Sequence, residues 1–297
     1  MDRRRFIGTA AAAGAYWALG KPGWALAATG RPDLVAARGG EAPALFDRAI
    51  AEMGGMKAFV RKGQKVLVKP NIGWDRPPEL GANTNPALVA RIVEQALAAG
   101  AGEVFVFDNS CDDGPRSYRT SGIEAAARSA GAKVAPGHME SAYHPVKVPG
   151  KKLTEAKVHQ LLLEADVFIN VPVLKHHSSS GLTIGMKNLM GVVWDRYYWH
   201  RTDLLQCIAD MAGYRKPDLV VVDAYRVMKR YGPRSGTAAD VVEMKAQILA
   251  TDPVAADAAA ARLFGAEVKD VAYIEMAAAA GVGRMDLGAL DIRRITL

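Results

Sequence analysis

The fold class follows from residues 166–191, DVFINVPVLKHHSSSGLTIGMKNLMG. This segment begins as an apolar run, which is typical of a strand buried on both faces of a sheet. It continues into a Ser/Gly loop that presents Lys175, His176 and His177, and then reaches Lys187 and Asn188. A buried strand that delivers a lysine and two histidines into such a loop predicts a strand end that opens onto a cleft.

Other short apolar runs have the same character, and helical patterns separate most of them. They are VLVK at 66–69, EVFVF at 103–107, DLVVVDAYRVM at 218–228 and MKAQILA at 244–250. This alternation predicts an α/β fold in which helices cover both faces of a mostly parallel sheet, a Rossmann-like three-layer sandwich. Residues 31–42 are expected to lead into the first helix, and KVHQLLLEA at 157–165 is expected to be helical.

The first 27 residues have the pattern of an export signal. Arg3, Arg4 and Arg5 precede Phe6-Ile7, a weakly apolar Ala/Gly stretch follows, and Ala25-Leu26-Ala27 is a small-x-small cleavage site. A retained membrane anchor is the alternative, but the apolar stretch is short and interrupted by glycine. We therefore expect the twin-arginine machinery to export the folded protein to the periplasm, with residues 28–297 forming one α/β domain that has a polar insertion near 138–157.

Charge and cysteine content exclude several classes of protein. The net charge of +7 includes four basic residues and one acidic residue of the signal, and without them 34 basic and 30 acidic residues leave +4. This mild charge does not predict a nucleic-acid partner. Cys111 and Cys207 lack Cys-x-x-Cys spacing, so neither a disulfide scaffold nor a cysteine-held metal site is predicted. The glycine motifs of dinucleotide-binding and P-loop proteins and the Gly-x-Ser-x-Gly and His-Glu-x-x-His motifs are absent.

Polar residues follow five of the predicted strands, and the carboxyl ends of parallel strands meet at one edge of a sheet. Each is near a strand end: Lys69-Pro70-Asn71, Asp108-Asn109-Ser110, Lys175-His176-His177, Asp223 and Thr251-Asp252. Because neighbouring side chains of a strand point in opposite directions, one of the two histidines is expected to face the cleft. The sequence therefore predicts a shared site at this edge.

The expected roles divide the candidate residues into three sets. The catalytic candidates are His177, as an acid/base group, and Lys175 and Lys187, which would hold an anionic ligand such as a carboxylate or phosphate. As an alternative role, His177 is expected to bind a divalent metal ion together with Asp223 and Asp252. Ligand binding is also expected from the strand ends, from the start of the helix at 85–86 and from the Lys-Asn segment, at Lys69, Asn71, Asn83, Thr84, Asn85 and Asn188.

From about Gly63 to Phe264, these motifs resemble the family known as domain of unknown function 362 (DUF362). The most specific part is a Lys-x-His…Lys-Asn-x-x-Gly block, here Lys175, His177, Lys187, Asn188 and Gly191. Many relatives have a small polar residue at the position of His176, which favours His177 as the inward-facing histidine. Many relatives have ferredoxin-like modules and are described as iron–sulfur proteins, so the resemblance implies the same description here. Two cysteines, however, cannot supply the ligands of such a module.

Two functions remain open on these residues. The first is an exported enzyme that acts on a small anionic molecule. The second is a non-catalytic periplasmic protein that holds a cofactor or metal, or acts as a maturation factor, for a redox partner. The aromatic segment VVWDRYYWHRTD, residues 192–203, suits a lid or a docking patch for such a partner. A relative with an intact sheet and no working site is a third reading.

Overall fold

The computed structural model describes residues 30–297, so the predicted export signal lies outside the described residues. Within that range, no helix combines the length and the apolar character that crossing a bilayer would need.

Twelve strands are present in the described part of the chain, and eight of them form one sheet. In chain order they are β1 (Leu34–Arg38), β2 (Lys65–Pro70), β3 (Glu103–Val106), β4 (Lys133–Val134), β5 (Tyr143–Lys147), β6 (Glu155–His159), β7 (Val167–Val171), β8 (Lys175–His177), β9 (Gly181–Thr183), β10 (Leu219–Met228), β11 (Val241–Ala250) and β12 (Ile292–Thr296). The large sheet has the order β12-β1-β11-β10-β7-β2-β3-β4, while β5–β6 and β8–β9 are separate antiparallel pairs.

The ten α-helices of the described residues connect these strands. They are α1 (Ala42–Glu52), α2 (Pro86–Ala99), α3 (Gly114–Thr120), α4 (Ile123–Ser129), α5 (Gln160–Glu164), α6 (Gly185–Asn188), α7 (Tyr197–Thr202), α8 (Leu204–Tyr214), α9 (Pro253–Phe264) and α10 (Ala272–Ala279). The start of α2 shows why the helices begin where they do. Pro86 occupies the first turn, and the Asn85 side chain accepts hydrogen bonds from the backbone amides of Ala87 and Leu88.

Helices cover both faces of the sheet, which confirms the predicted three-layer α/β class. On one face, apolar side chains of α1, α2 and α4 pack with inward-facing strand residues such as Val66 and Val68. On the other face, α8, α9 and α10 pack with strand residues such as Leu67 and Val222. Because Val66, Leu67 and Val68 alternate between the two cores, β2 is buried on both sides, as its apolar sequence requires.

One edge of the sheet differs from expectation. The segment 31–42, expected to be only a lead-in, contains β1, which lies between β11 and β12. Its sequence, LVAAR, has little strand propensity, and its pairing on both sides stabilises it. β11 runs antiparallel to β10, whereas β10, β7, β2, β3 and β4 are mutually parallel. The carboxyl end of β11 therefore lies at the opposite edge of the sheet from the carboxyl ends of these five parallel strands.

The polar insertion expected near 138–157 contains a β-hairpin. β5 and β6 pair from Tyr143↔His159 to Lys147↔Glu155. The helix expected over 157–165 is shorter, because residues up to His159 belong to β6 and α5 begins at Gln160. The His159 side chain accepts a hydrogen bond from the backbone amide of Leu161 and so caps that short helix.

Candidate functional site

A cleft of about 220 Å³ opens at the carboxyl edge of the parallel strands. The end of β2, the residues after β3, the β8–β9 hairpin, α6 and the start of α7 all contribute to its lining. The ionisable, amide and thiol groups of the lining are Lys69, Asn71, Asp108, Asn109, Cys111, Lys175, His177, Lys187, Asn188, Arg196 and His200. Parts of the chain that are far apart in sequence thus meet at one polar site.

A buried ion pair forms the base of the cleft. Lys69 Nζ lies 2.7 Å from Asp108 Oδ1, and both side chains are almost completely buried. Asp108 Oδ2 accepts a 2.6 Å hydrogen bond from the backbone amide of Ile72. Gly191 packs directly against the pair, because a Cβ atom there would lie 1.8 Å from Asp108 Oδ1 and 2.6 Å from Lys69 Nζ. The pair consequently requires glycine at position 191.

Asn188 ties the Lys-Asn segment to the central strands. Its Oδ1 accepts hydrogen bonds from Lys69 Nζ at 3.0 Å and from Asn71 Nδ2 at 3.1 Å. Its Nδ2 donates to Asn170 Oδ1 at 2.9 Å, and Asn170 in turn donates to the Gly185 carbonyl. This amide network holds α6 against β2 and β7, and it thereby sets the position of Lys187.

Asp257 of α9 holds the other end of α6. Its carboxylate accepts hydrogen bonds from the backbone amides of Gly185 at 2.8 Å and Met186 at 3.0 Å. Burial raises the pKa of Asp257 to about 7, although the two amide bonds oppose that shift. Asp257 does not line the cleft, so its contribution is to position the segment that carries Lys187.

Lys175 and Lys187 are the least compensated cations of the cleft. Lys175 is 1% exposed and donates a hydrogen bond to the Ala82 carbonyl. Lys187 donates to Met190 Sδ at 2.9 Å, and thioether sulfur is a weak acceptor. Burial lowers the pKa of Lys175 to about 7 and that of Lys187 to about 8. Among the described residues, no carboxylate forms an ion pair with either side chain within 4.0 Å.

His177 faces the cleft, whereas His176 does not line it. The Nδ1 atom of His177 accepts a 3.1 Å hydrogen bond from the backbone amide of Ser179. In the neutral ring the proton therefore resides on Nε2. Burial, together with the charges of Lys187 and Lys175, lowers the pKa of His177 far below its usual range. The imidazole is neutral across physiological pH, and it can donate a hydrogen bond from Nε2.

Arg196 and His200 also line the cleft, and the sequence did not single them out. The Arg196 guanidinium donates to the Asn109 carbonyl at 2.5 Å, to Asn109 Oδ1 at 3.2 Å and to the Ser110 carbonyl. Burial lowers the pKa of His200, and Lys187 and Arg196 lower it further. The aromatic segment was recognised as a whole, but nothing in its spacing distinguishes the two residues that face the cleft.

Comparison with known proteins identifies the family. The family model described as domain of unknown function (DUF362) matches residues 66–262. The chain belongs to this family. A thylakoid-associated protein of Synechocystis sp. is 26% identical over 198 residues, which cover 64% of this DUF362 chain and 60% of that protein. The chain therefore spans less than two thirds of the length of this relative.

A distant similarity extends to a solved structure. The lactate racemase apoprotein from Thermoanaerobacterium thermosaccharolyticum superposes with a TM-score of 0.44 at 13% sequence identity. The matched region covers 71% of the DUF362 chain and 53% of the racemase chain.

Three of the predicted ligand-binding residues lie away from the cleft of the DUF362 chain. Asn83 bonds to the backbone of Trp74 and Arg76, and so supports the loop that follows β2. Thr84 donates to the Val171 carbonyl and accepts from the Asn71 amide. The side chain of Asn85 caps α2. These residues shape the backbone around the site, and none of them lines it.

The predicted metal set is not brought together. Asp223 is buried, and its carboxylate accepts hydrogen bonds from the backbone amides of Asn85 at 2.7 Å and Tyr225 at 2.9 Å. It therefore occupies the place at the start of α2 where an anionic ligand was expected. Burial raises the pKa of Asp223 to about 6. Neither Asp223 nor Asp252 lines the cleft with His177.

Asp252 lies at the opposite edge of the sheet because β11 is antiparallel. Gln247 pairs with Asp223, and Asp252 follows Gln247 by five residues, a distance on the order of 15 Å along the strand. Its carboxylate caps α9 through the amides of Val254 and Ala255. In the part of the chain that the structure describes, no group of three or more His, Cys, Asp or Glu side chains is arranged to hold a metal ion.

The charge balance of the cleft is strongly positive. Four basic side chains line it, and Asp108 is the one acidic side chain among the described lining residues. Asp108 is already paired with Lys69. Removing a cation from water without a counter-charge has an unfavourable free energy, and the lowered pKa values of Lys175 and Lys187 reflect this desolvation cost. An anion bound here would remove it, and a neutral Nε2–H of His177 could hydrogen-bond the same anion.

Proposed function

We propose that this DUF362 protein is an enzyme that binds a small carboxylate or phosphate in the cationic cleft. The observation that carries the proposal is the excess of positive charge in the cleft. It is lined by the buried Lys175 and the half-buried Lys187 and Arg196, and none of the three has a carboxylate partner among the described residues. Fixed cations in a partly buried site, where the effective dielectric constant is lower than in water, attract anions more strongly than the same cations in water. The volume of about 220 Å³ suits a ligand of a few heavy atoms.

The polar groups have distinct roles in this proposal. Lys187 and Arg196 hold the negative charge. Lys175 exchanges a proton with the ligand, because a lysine with a pKa near neutrality is present in both protonation states at physiological pH. His177 orients the ligand through Nε2–H. Asn188, at the wall of the cleft, and Asp257, outside it, keep these groups in place.

We also propose that the protein acts in the periplasm after twin-arginine export of the folded chain. The support for this part is the segment from Arg3 to Ala27 alone. A cleft that is complete within one α/β domain is consistent with export after folding.

Titration calorimetry with phosphate, sulfate, acetate and propionate tests the anion-binding proposal. We expect at least one of these anions to bind to the wild-type protein, and Lys187→Gln to weaken that binding about tenfold or more, which corresponds to about 1.4 kcal/mol. Lys216→Gln is the matched control, because Lys216 is exposed and precedes β10 at the opposite edge of the sheet. Equal affinities for the two variants would contradict the proposal.

A non-catalytic function is the second candidate, and one observation favours it. A groove of about 990 Å³ adjoins the cleft, shares Asn109 and Arg196 with it, and includes Tyr197 and Tyr198. Tyr197 is 73% exposed and Tyr198 is 41% exposed, so both are available to a partner that would receive an anionic cofactor. Turnover of small carboxylates or phosphoesters, followed by NMR, separates the two functions, since a carrier binds its ligand without changing it.

A further inference from the structure

Lys175 has an environment that anion binding alone does not require. Its ammonium group is almost completely buried, its hydrogen-bond acceptor is the Ala82 carbonyl, and it lies 5.8 Å from the centre of a Trp74 ring. Asp108 is the carboxylate that interacts electrostatically with Lys175, but its side chain already forms an ion pair with Lys69 at 2.7 Å. A lysine used only to hold an anion would serve better in its charged form, which Lys187, with a pKa of about 8, retains to a greater extent than Lys175 at physiological pH.

The cleft is small enough that a ligand contacting Lys187 also approaches Lys175. Both side chains line the same volume of about 220 Å³, which is equivalent to about seven water molecules in the liquid. A three-carbon acid fills much of that space. Lys175, Lys187 and Arg196 all line this volume, so an acid whose carboxylate is held at Lys187 and Arg196 shares the cleft with the amine of Lys175.

We propose that Lys175 forms a Schiff base with the carbonyl carbon of a small 2-oxo acid whose carboxylate is held by Lys187 and Arg196. This inference rests on the anion-binding function proposed above, and it adds a covalent step and a substrate class to it. A carbonyl next to a carboxylate satisfies both kinds of group in the cleft, the nucleophilic amine and the uncompensated cations.

The step balances without a further reactant. The lone pair of the neutral amine attacks the carbonyl carbon, a C–N bond forms, and one nitrogen proton moves to the former carbonyl oxygen. The resulting carbinolamine loses its hydroxyl group together with the second nitrogen proton as water, which leaves the imine. Burial and the neighbouring cations Lys187 and Lys69 lower the pKa of Lys175 to about 7, so the amine is substantially neutral at physiological pH.

Reductive trapping tests the inference on the folded full-length protein. Pyruvate is added at near-neutral pH, the mixture is reduced with borohydride, and the modified lysine is located by peptide mass spectrometry. We expect one dominant adduct, on Lys175, and an excess of propionate to protect against it. Propionate has the same carboxylate without the carbonyl, so it competes for the cleft but cannot form an imine. Lys187→Gln is expected to reduce labelling about tenfold at the same pyruvate concentration.

The outcomes separate this inference from the proposed function. If propionate binds by calorimetry and pyruvate leaves no adduct on Lys175, the imine step is wrong and anion binding stands. If neither acid nor any other tested anion binds, the proposed function fails and this inference fails with it. Labelling of exposed lysines to the same extent as Lys175, without protection by propionate, also overturns the inference. Because the adduct is mapped on the wild-type protein, the result does not depend on whether a Lys175→Arg variant folds.

Discussion

Gly191 shows how one residue can control the base of the cleft. The space that a side chain would need there is occupied by the Lys69–Asp108 pair. The pair is buried, so separating its charges would leave each of them without compensation.

Gly191→Ala is therefore expected to destabilise the protein by about 3 kcal/mol. The added methyl group must displace either Asp108 or Lys69, and both are surrounded by packed residues. Urea unfolding measures the loss. Gly213→Ala is the matched control, since Gly213 lies in α8 and its nearest neighbour would be 3.6 Å away. A loss for Gly191→Ala no larger than that of the control would contradict the steric argument.

Lys175 links stability to pH. Its pKa is about 7 in the folded protein against an ordinary value of 10.5, so between these pH values the unfolded chain binds more protons. The free energy of unfolding consequently rises with pH from about 7 toward 10. Lys187 and Lys229, whose pKa values are also lowered by burial to about 8, contribute in the same direction.

Lys175→Met is expected to reduce this slope, because it removes one of the groups that the unfolded chain protonates. Denaturant unfolding at several pH values between 7 and 10 gives the slope for each protein. A variant whose slope equals that of the wild-type protein would show that Lys175 titrates normally when the chain is folded.

At the scale of the element, α6 is held from both ends. Asn188 joins it to β2 and β7, and Asp257 of α9 accepts hydrogen bonds from the amides of Gly185 and Met186. The helix has only four residues, too few to be stable by itself. Its position, and so that of Lys187, depends on these tertiary contacts.

Asp257→Ala is expected to cost about 3 kcal/mol, since two buried amides lose their acceptor. The same change should weaken anion binding, because Lys187 would no longer be held in place. Asp257→Asn keeps one acceptor oxygen and should lose less of both properties. Thermal unfolding and phosphate titration of the two variants measure the effects. Normal anion affinity in Asp257→Ala would show that α6 does not depend on this carboxylate.

Asp252 provides a contrasting case. It caps α9 at the opposite edge of the sheet, and its side chain accepts hydrogen bonds from Val254 and Ala255. Asp252→Ala should therefore cost about 1 kcal/mol of stability and leave anion affinity unchanged. If calorimetry finds weaker anion binding in this variant, Asp252 contributes to the site and this prediction is wrong.

At the scale of the whole molecule, the described domain contains both the cleft and the residues that support it, and export remains a prediction of the first 27 residues. Replacing Arg3 and Arg4 with lysine is expected to keep the protein in the cytoplasm, because the twin-arginine pathway reads that pair. Cell fractionation with immunoblotting measures the distribution. Arg61→Lys, an exposed change in the mature domain, should leave export intact. If the variant with both substitutions is found in the periplasm, the assignment of a twin-arginine signal is wrong.

Part of the site followed from local sequence patterns. The apolar run before Lys175 and the Ser/Gly loop after His177 predicted a strand that ends at a cleft, and alternation along β8 predicted one inward-facing histidine. Asp108 was visible as a polar residue after β3, but its pairing with Lys69 was not, because those residues are far apart in the chain. No local sequence pattern indicated that Arg196 would face the cleft.

The sequence alone determined the layered α/β class and the placing of Lys175, His177 and Lys187 in one neighbourhood, since hydrophobic periodicity is a local property that every buried strand must satisfy. Only the tertiary structure decided that β11 runs antiparallel to β10, which places Asp252 at the opposite edge of the sheet. It also decided that the Asp223 carboxylate accepts a hydrogen bond from the backbone amide of Asn85 at the start of α2. Strand direction and charge pairing depend on contacts between distant segments. A periodic pattern is the same whichever way a strand runs, so these features had to come from the folded chain.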